Sequence, residues 1–221
     1  MARRQPFSNS RVVIAEGEED AAFVRALLAA YSNLPPFDVS PTIDVGQVGG
    51  SSGFETAIMA ADAFAGFSGV SDVVIVADND DPAISFNSIL QQLQRAKISG
   101  NLSRNWGEPT APMVKAPGDP SVSVWLWPGQ GRHGCLETLL WQAVKSRYRR
   151  IAACVDQAIK CANIGTWPVS KLDKARVRIF IALTLRESPA MSLARLWSQF
   201  PNLIPVKSSQ FREFLQFIRT I

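Results

Sequence analysis

Two acidic segments hold the residues whose types and spacing could do chemistry. The first is Glu16, directly after an apolar run at 11–15, with Gly17 allowing a sharp turn and Asp20 close behind. The second is Asp78-Asn79-Asp80-Asp81, directly after the apolar run 73–77. Carboxylates held close repel one another and favour protonation unless a cation neutralises them. Their hard oxygens suit Mg2+ or Mn2+, with water completing the shell. Asp78 and Asp80 are two apart, so continued extended geometry would point both the same way. Each segment also has a plainer reading. Glu16 can cap the helix that follows it, and the Asp/Asn run can form Asx turns. The single histidine His133 and the absence of a CxxC pair among Cys135, Cys154 and Cys161 argue against a structural zinc site. Those cysteines read as core or near-surface filler in a reducing compartment.

Such residues matter only if strands deliver them to one place. The β-branched run at 11–15 reads as a buried parallel strand, 73–77 is the strongest strand, 121–127 reads as another, and 37–45 can supply a further one. Helices are expected from about 19 or 20 to 30, then over 54–64 and 85–96, each following a strand. This alternation gives an α/β fold, a mostly parallel sheet with helices on both faces and sites at the strand C-termini. The stretch 99–120, rich in Gly, Asn and Pro, is long for a connection and predicts an irregular hairpin or a loop over the site. Its Trp106 can stack a base or anchor the loop to the sheet, and anchoring is the favoured role. From 136 onward the chain reads as helical, over 136–145, 151–161, 171–185, 193–200 and 211–218. The expected organisation is a core over 11–145 and a helical C-terminal extension over 146–221, packed on it. Trp141, Trp167, Trp197, Phe200, Phe211, Phe214 and Phe217 serve there as core anchors, or as a face for a homodimer or partner protein.

Composition bounds the rest. The 221 residues are 47% hydrophobic and 19% charged, which suits a folded globular chain. No apolar run approaches the ~18 residues of a membrane span, and no signal-peptide core is present, so a cytoplasmic protein is expected. The net charge of +4 is concentrated in basic clusters at 145–150 and 171–178. These would suit DNA or RNA as a partner, although a solvated helix face explains each cluster more cheaply.

The segments AEGEEDAAFVRALL and VVIVADNDD resemble the two signature segments of the Toprim domain. That domain occurs in topoisomerases, primases, recombination proteins and OLD-family nucleases. The resemblance implies a Toprim-like (Rossmann-like) fold in which Glu16 is a general acid/base that also helps hold metal, and Asp78 and Asp80 ligate Mg2+ or Mn2+. Asp20 and Asp81 match further acidic positions of the OLD-like branch. GRHGCLETLLWQAV resembles a Gly-x-x-Glu segment of stand-alone Toprim-like proteins, which makes Glu137 a metal candidate and Lys174 a companion. Glu137 is equally placed to be a first-turn helix acid. GQVGGSSG, centred on Gly49 and Gly50, resembles a Gly-rich loop that can approach phosphate, but it lacks the lysine of a Walker loop. No ATPase module or topoisomerase tyrosine domain accompanies these motifs, so what is expected is a small stand-alone Toprim-like protein.

The expected activity is divalent-metal-dependent phosphodiester hydrolysis by a nuclease, with Arg132, Lys145 and Arg147 steadying the polyanion beside Lys174, Gly49 and Gly50. His133 is left outside the core site. The alternatives are a non-catalytic module binding nucleic acid or protein, and a phosphatase or phosphotransferase acting on a small nucleotide. A generic α/β domain with surface acidic turns is the blandest reading.

Overall fold

The computed structural model describes residues 7–42, 53–81, 85–99 and 102–221, leaving aside the side chain of Ala65. Its sheet has four strands, β1 (Arg11–Ala15), β2 (Asp38–Pro41), β3 (Asp72–Asp78) and β4 (Ser121–Trp127). They are all parallel, in the order β2-β1-β3-β4. The fold is therefore α/β, as the strand–helix alternation implied. β2 is shorter than expected and ends at Pro41, which offers no N–H to a ladder.

Among the described residues, eight α-helices surround the sheet: α1 (Glu18–Ala30), α2 (Phe54–Asp62), α3 (Ser85–Ser99), α4 (Leu136–Arg147), α5 (Arg149–Cys161), α6 (Val169–Thr184), α7 (Leu193–Gln199) and α8 (Arg212–Arg219). Side chains alternate across the strands, so each face collects its own core. Val13, Val74, Val76, Trp125 and Trp127 face α1 and the C-terminal helices. Val12, Ile14, Val73, Ile75, Val122, Val124 and Leu126 face α2 and α3. Burial on both faces is why these strands read as continuous apolar runs.

The C-terminal helices are part of this core. Phe214 of α8 lies 5.1 Å from the ring of Trp125 and 4.7 Å from that of Trp127. Phe23 of α1 meets Trp197 of α7 at 5.3 Å and Phe211 at 4.7 Å. Trp141, Trp197, Phe211, Phe214 and Phe217 are all buried, so these aromatics act as core anchors. Trp167 is exposed, and Phe200 is half-buried.

The long connection before β4 is an edge cover. The Met113 N–H donates to the Val124 carbonyl at 2.7 Å, and Ala116 forms an antiparallel bridge with Val122. This occupies the free side of β4 that would otherwise invite another strand. Trp106 anchors it as expected: its ring stacks on Phe67 at 5.1 Å, and its Nε1–H donates to Asp62 Oδ1 at 2.9 Å. Gly118 lies so near the Gly107 backbone that an added Cβ would collide with it. No described helix is long and apolar enough to cross a membrane.

Candidate active site

The strand order reverses between β1 and β3. β1 is followed by β2 on one side, while β3 lies on the other. Connections leaving such neighbours diverge, and the crevice opens at their carboxyl ends. Glu16 is the first residue past β1, and Asp78 is the last residue of β3. Their backbones are tied there. The Glu16 N–H donates to the Val76 carbonyl at 2.8 Å, and Glu16 Oε2 accepts the Asp78 N–H at 2.8 Å. Thr42 Oγ1 donates to the Glu16 carbonyl, holding the turn from the β2 side.

Three further elements bring charge to this point. α1 starts immediately after Gly17 with Glu18, Glu19 and Asp20 in its first turn. α4 begins beside the end of β3, because Asn79 and Gly134 form an antiparallel bridge. The Asp78 Oδ1 then accepts the Leu136 N–H at 3.2 Å, so the carboxylate serves the unpaired amides at the positive end of α4. Glu137, in that first turn, is 5% exposed. α6 contributes Lys174, whose ammonium donates to Asp78 Oδ2 at 2.8 Å.

The electrostatics follow from crowding. Burial, then the charge of Asp78, pushes the Glu16 carboxyl up to about 7. Asp20 is raised well above the usual range by burial and then by Asp78, Glu16 and Glu137. Asp78 is raised by burial despite Lys174, and Glu137 by burial and the charge of Asp78. Lys174 loses hydration by burial, yet the acids around it hold its ammonium charged well past the usual lysine range. Asp20 Oδ1 is sealed from solvent without a hydrogen-bond partner. Four carboxylates, an orphaned acid oxygen among them, fit a hard divalent cation.

Not every expected residue belongs to this cluster. Glu16, Asp20, Asp78, Glu137 and Lys174 are brought together. Asp80 is exposed, because the strand stops at Asp78 and extended parity no longer applies; its charge still raises Glu16 and Asp78. Asp81 is exposed four residues ahead of α3, and its carbonyl accepts the Ser85 N–H at 2.8 Å. Arg132 is engaged elsewhere, donating to the Pro128 carbonyl and to Glu213 of α8, each at 2.6 Å. Lys145 and Arg147 are exposed near the far end of α4, about 12 and about 15 Å of helix rise from Glu137. The Arg147 guanidinium lies over the Tyr148 ring at 5.4 Å. His133 is exposed, and Gly49 and Gly50 lie outside the described residues.

Sequence reasoning missed Cys135. This residue is fully buried, and its Sγ and the carboxylate oxygens of Asp78 and Glu137 all lie within 4.8 Å of one another. The available signal was its position two residues before Glu137, at the N-cap of α4. The other two cysteines are exposed. A hollow of about 930 Å³ beside the end of α1 and the start of β2 is lined by Tyr31, Leu34, Phe37 and Asp38; it lies at the opposite edge of the sheet.

A family model described as protein of unknown function (DUF3226) matches residues 10–221. No curated protein and no solved structure matches the chain. The family match runs from the residue before β1 through α8 and takes in the whole acidic cluster, so the chain belongs to the DUF3226 family.

Proposed function

We propose that this protein is a divalent-metal-dependent phosphodiesterase of the nuclease kind, with a Toprim-like carboxylate site and DNA or RNA as its substrate. One observation carries the reading: acids from the ends of two neighbouring strands and from two helix starts converge at the sheet's switch point. Glu16, Asp20, Asp78 and Glu137 meet there with one ammonium among the described residues, Lys174, to set against them. Such an excess of buried negative charge must be protonated or matched by a cation. Asp78, Glu137 and Asp20 would hold Mg2+ or Mn2+, with Glu16 and Asp80 at its margin. When bound, the ion would neutralise charge on a scissile phosphate and make a nearby water more acidic. Glu16, with its carboxyl near 7, is suited to take a proton from that water and return it to the leaving oxygen at neutral pH. Lys174 and the amino end of α4 hold Asp78 in place, and the Lys174 ammonium can also face a phosphate oxygen. We place the protein in the cytoplasm, where its free thiols stay reduced.

Labelled single-stranded, duplex and nicked DNA, and RNA, test this with Mg2+ or Mn2+ present. Wild type should cleave at least one of them, and folded Asp78→Ala and Glu16→Ala proteins should not; Asp80→Ala should be impaired. Cleavage that persists in all three would sink the assignment. A second reading has its own support: Arg132 is bound to Glu213, while Lys145 and Arg147 lie far from the acids. That leaves no wide basic track at the site among the described residues. The same carboxylates would then serve a phosphatase or phosphotransferase acting on a small nucleotide. Metal-dependent release of phosphate from nucleotides, with every polymer left intact, would select it.

A further inference from the structure

We infer that the innermost cation position includes Cys135 as a thiolate ligand, so that the site takes a transition-metal dication of the Mn2+ to Zn2+ series in preference to Mg2+. This rests on the metal-dependent reading above and narrows it. The acids alone point to a hard ion and leave its identity open. The thiol changes that.

The geometry comes first. Sγ of Cys135 and one oxygen each from Asp78 and Glu137 lie within 4.8 Å of one another. Ligand atoms around one tetrahedral ion stand about 3–4 Å apart, so a small inward movement brings all three onto a single cation. Cys135 is 0% exposed, and Glu137 is 5% exposed. A buried free cysteine ordinarily behaves as a small hydrophobe among apolar neighbours. This one instead faces two carboxylates: its thiol hydrogen-bonds with Glu137, and its other polar contacts are long, 3.7 Å to the Ser170 carbonyl and 3.9 Å to Thr138 Oγ1.

A separate observation points to a ligand. Asp20 Oδ1 is sealed from solvent and accepts no hydrogen bond, although its carboxylate interacts with those of Asp78, Glu16 and Glu137. A buried carboxylate oxygen left unpaired is costly, and a cation shared with its neighbours removes that cost. Asp20 thus adds a sealed, unpaired acid oxygen whose charge is felt by Asp78 and Glu137, though it lies outside the Asp78–Cys135–Glu137 trio itself.

The donor chemistry sets the preference. Mg2+ demands near-octahedral hard oxygens and dehydrates reluctantly. Thiolate favours softer ions, and affinity for mixed donor sets rises along the first-row series. The cysteine spacing excludes a cage of thiolates, but not one thiolate among carboxylates. On binding, the Cys135 S–H bond breaks and its proton passes to solvent as sulfur donates an electron pair to the ion; nothing is oxidised or reduced.

Cobalt(II) titration of the whole protein, followed by absorption and calorimetry, tests this without reference to activity. The bound protein should show a near-ultraviolet thiolate-to-cobalt charge-transfer band that survives excess Mg2+. The band should remain in the Cys154→Ser/Cys161→Ser double variant, which removes both exposed thiols, and disappear in Cys135→Ser. Cobalt affinity in Cys135→Ser should fall by at least the roughly 10- to 100-fold that losing even an outer-sphere partner costs. Heat of binding without that band in wild type would overturn the thiolate ligand and leave the carboxylate site standing. Loss of the band in the double variant, or its ready displacement by Mg2+, would do the same. No binding of cobalt at all would remove both readings together.

Discussion

The two ends of β3 carry the same ion pair in opposite states. At the amino end Asp72 meets Lys115 at 2.5 Å; at the carboxyl end Asp78 meets Lys174 at 2.8 Å. In both pairs the aspartate side chain is 10% exposed and the lysine 43%. Yet Asp72 titrates below the usual carboxylate range and Asp78 above it. Burial disfavours ionisation at both. At Asp72 hydrogen bonds from Lys115, Ser121 and Ser71 outweigh it. At Asp78 burial prevails over Lys174, and the charge of Asp80 adds to it. The side chains are equally accessible and the partners alike, but Asp78 lies deeper among packed atoms. Loss of hydration therefore weighs more there and a further acid adds to it, whereas at Asp72 the lysine and two hydroxyl donors outweigh it.

The largest expected effect is on hydrolysis. Glu16→Gln should slow the metal-dependent reaction by about 10²- to 10⁴-fold, as loss of a general acid/base does. Asp78→Asn should be at least as damaging, while Asp72→Asn, at the other end of the strand, should leave the rate essentially unchanged. Initial rates on the best substrate decide it, and an equal loss in Asp72→Asn would dissolve the contrast.

Stability against pH comes next, and the two ends should respond in different windows. The folded Glu16 carboxyl sits near 7 against an ordinary 4.5, so between those values the folded state binds more protons than the unfolded one. Metal-free protein should therefore lose stability as pH rises from about 4.5 to 7, by on the order of 2–3 kcal/mol from Glu16 alone. Asp72 is depressed, so its contribution is present above its unfolded value and is lost as pH falls through the folded one. Denaturant unfolding at stepped pH should show Glu16→Gln flattening the upper limb and Asp72→Asn the acid limb. Added divalent cation should lift the upper limb, and no metal effect at pH 8 would contradict the site.

The smallest effects sharpen the comparison at the lysines. Lys115→Ala leaves Asp72 with its hydroxyl donors and should cost about 1 kcal/mol or less. Lys174→Ala strips the acids of their counter-charge and should cost about 2 kcal/mol at pH 8. The second loss should shrink at pH 5 or with metal; equal losses that ignore both would mean the two pairs are alike.

Much of this arrangement was legible in the sequence. Glu16 and Asp78 could be placed because β1 and β3 are uninterrupted buried runs with abrupt polar ends, and parallel strands put those ends on one edge. Asp80 was misplaced in orientation because period-two alternation holds only while the chain stays extended, and here Asn79 is tied across to Gly134. Arg132 looked available because nothing local announces Glu213, which α8 delivers from far along the chain. Cys135 was taken for filler because its burial is ordinary for cysteine; what marks it out is the company of Asp78 and Glu137, which only the packed fold assembles.

Lys174 belongs to α6, so the site depends on the order in which the chain is made. Ribosomes add about 5–20 residues per second, so Asp78 emerges on the order of 5–20 seconds before the ammonium that answers it. Glu16 and Asp20 wait longer still. Arg178 of the same helix then ties down Glu19 in the first turn of α1. The nascent sheet can pair its strands early, but its acidic edge is finished only when α6 arrives, and a chain stalled short of that helix would carry the carboxylates with no lysine among them.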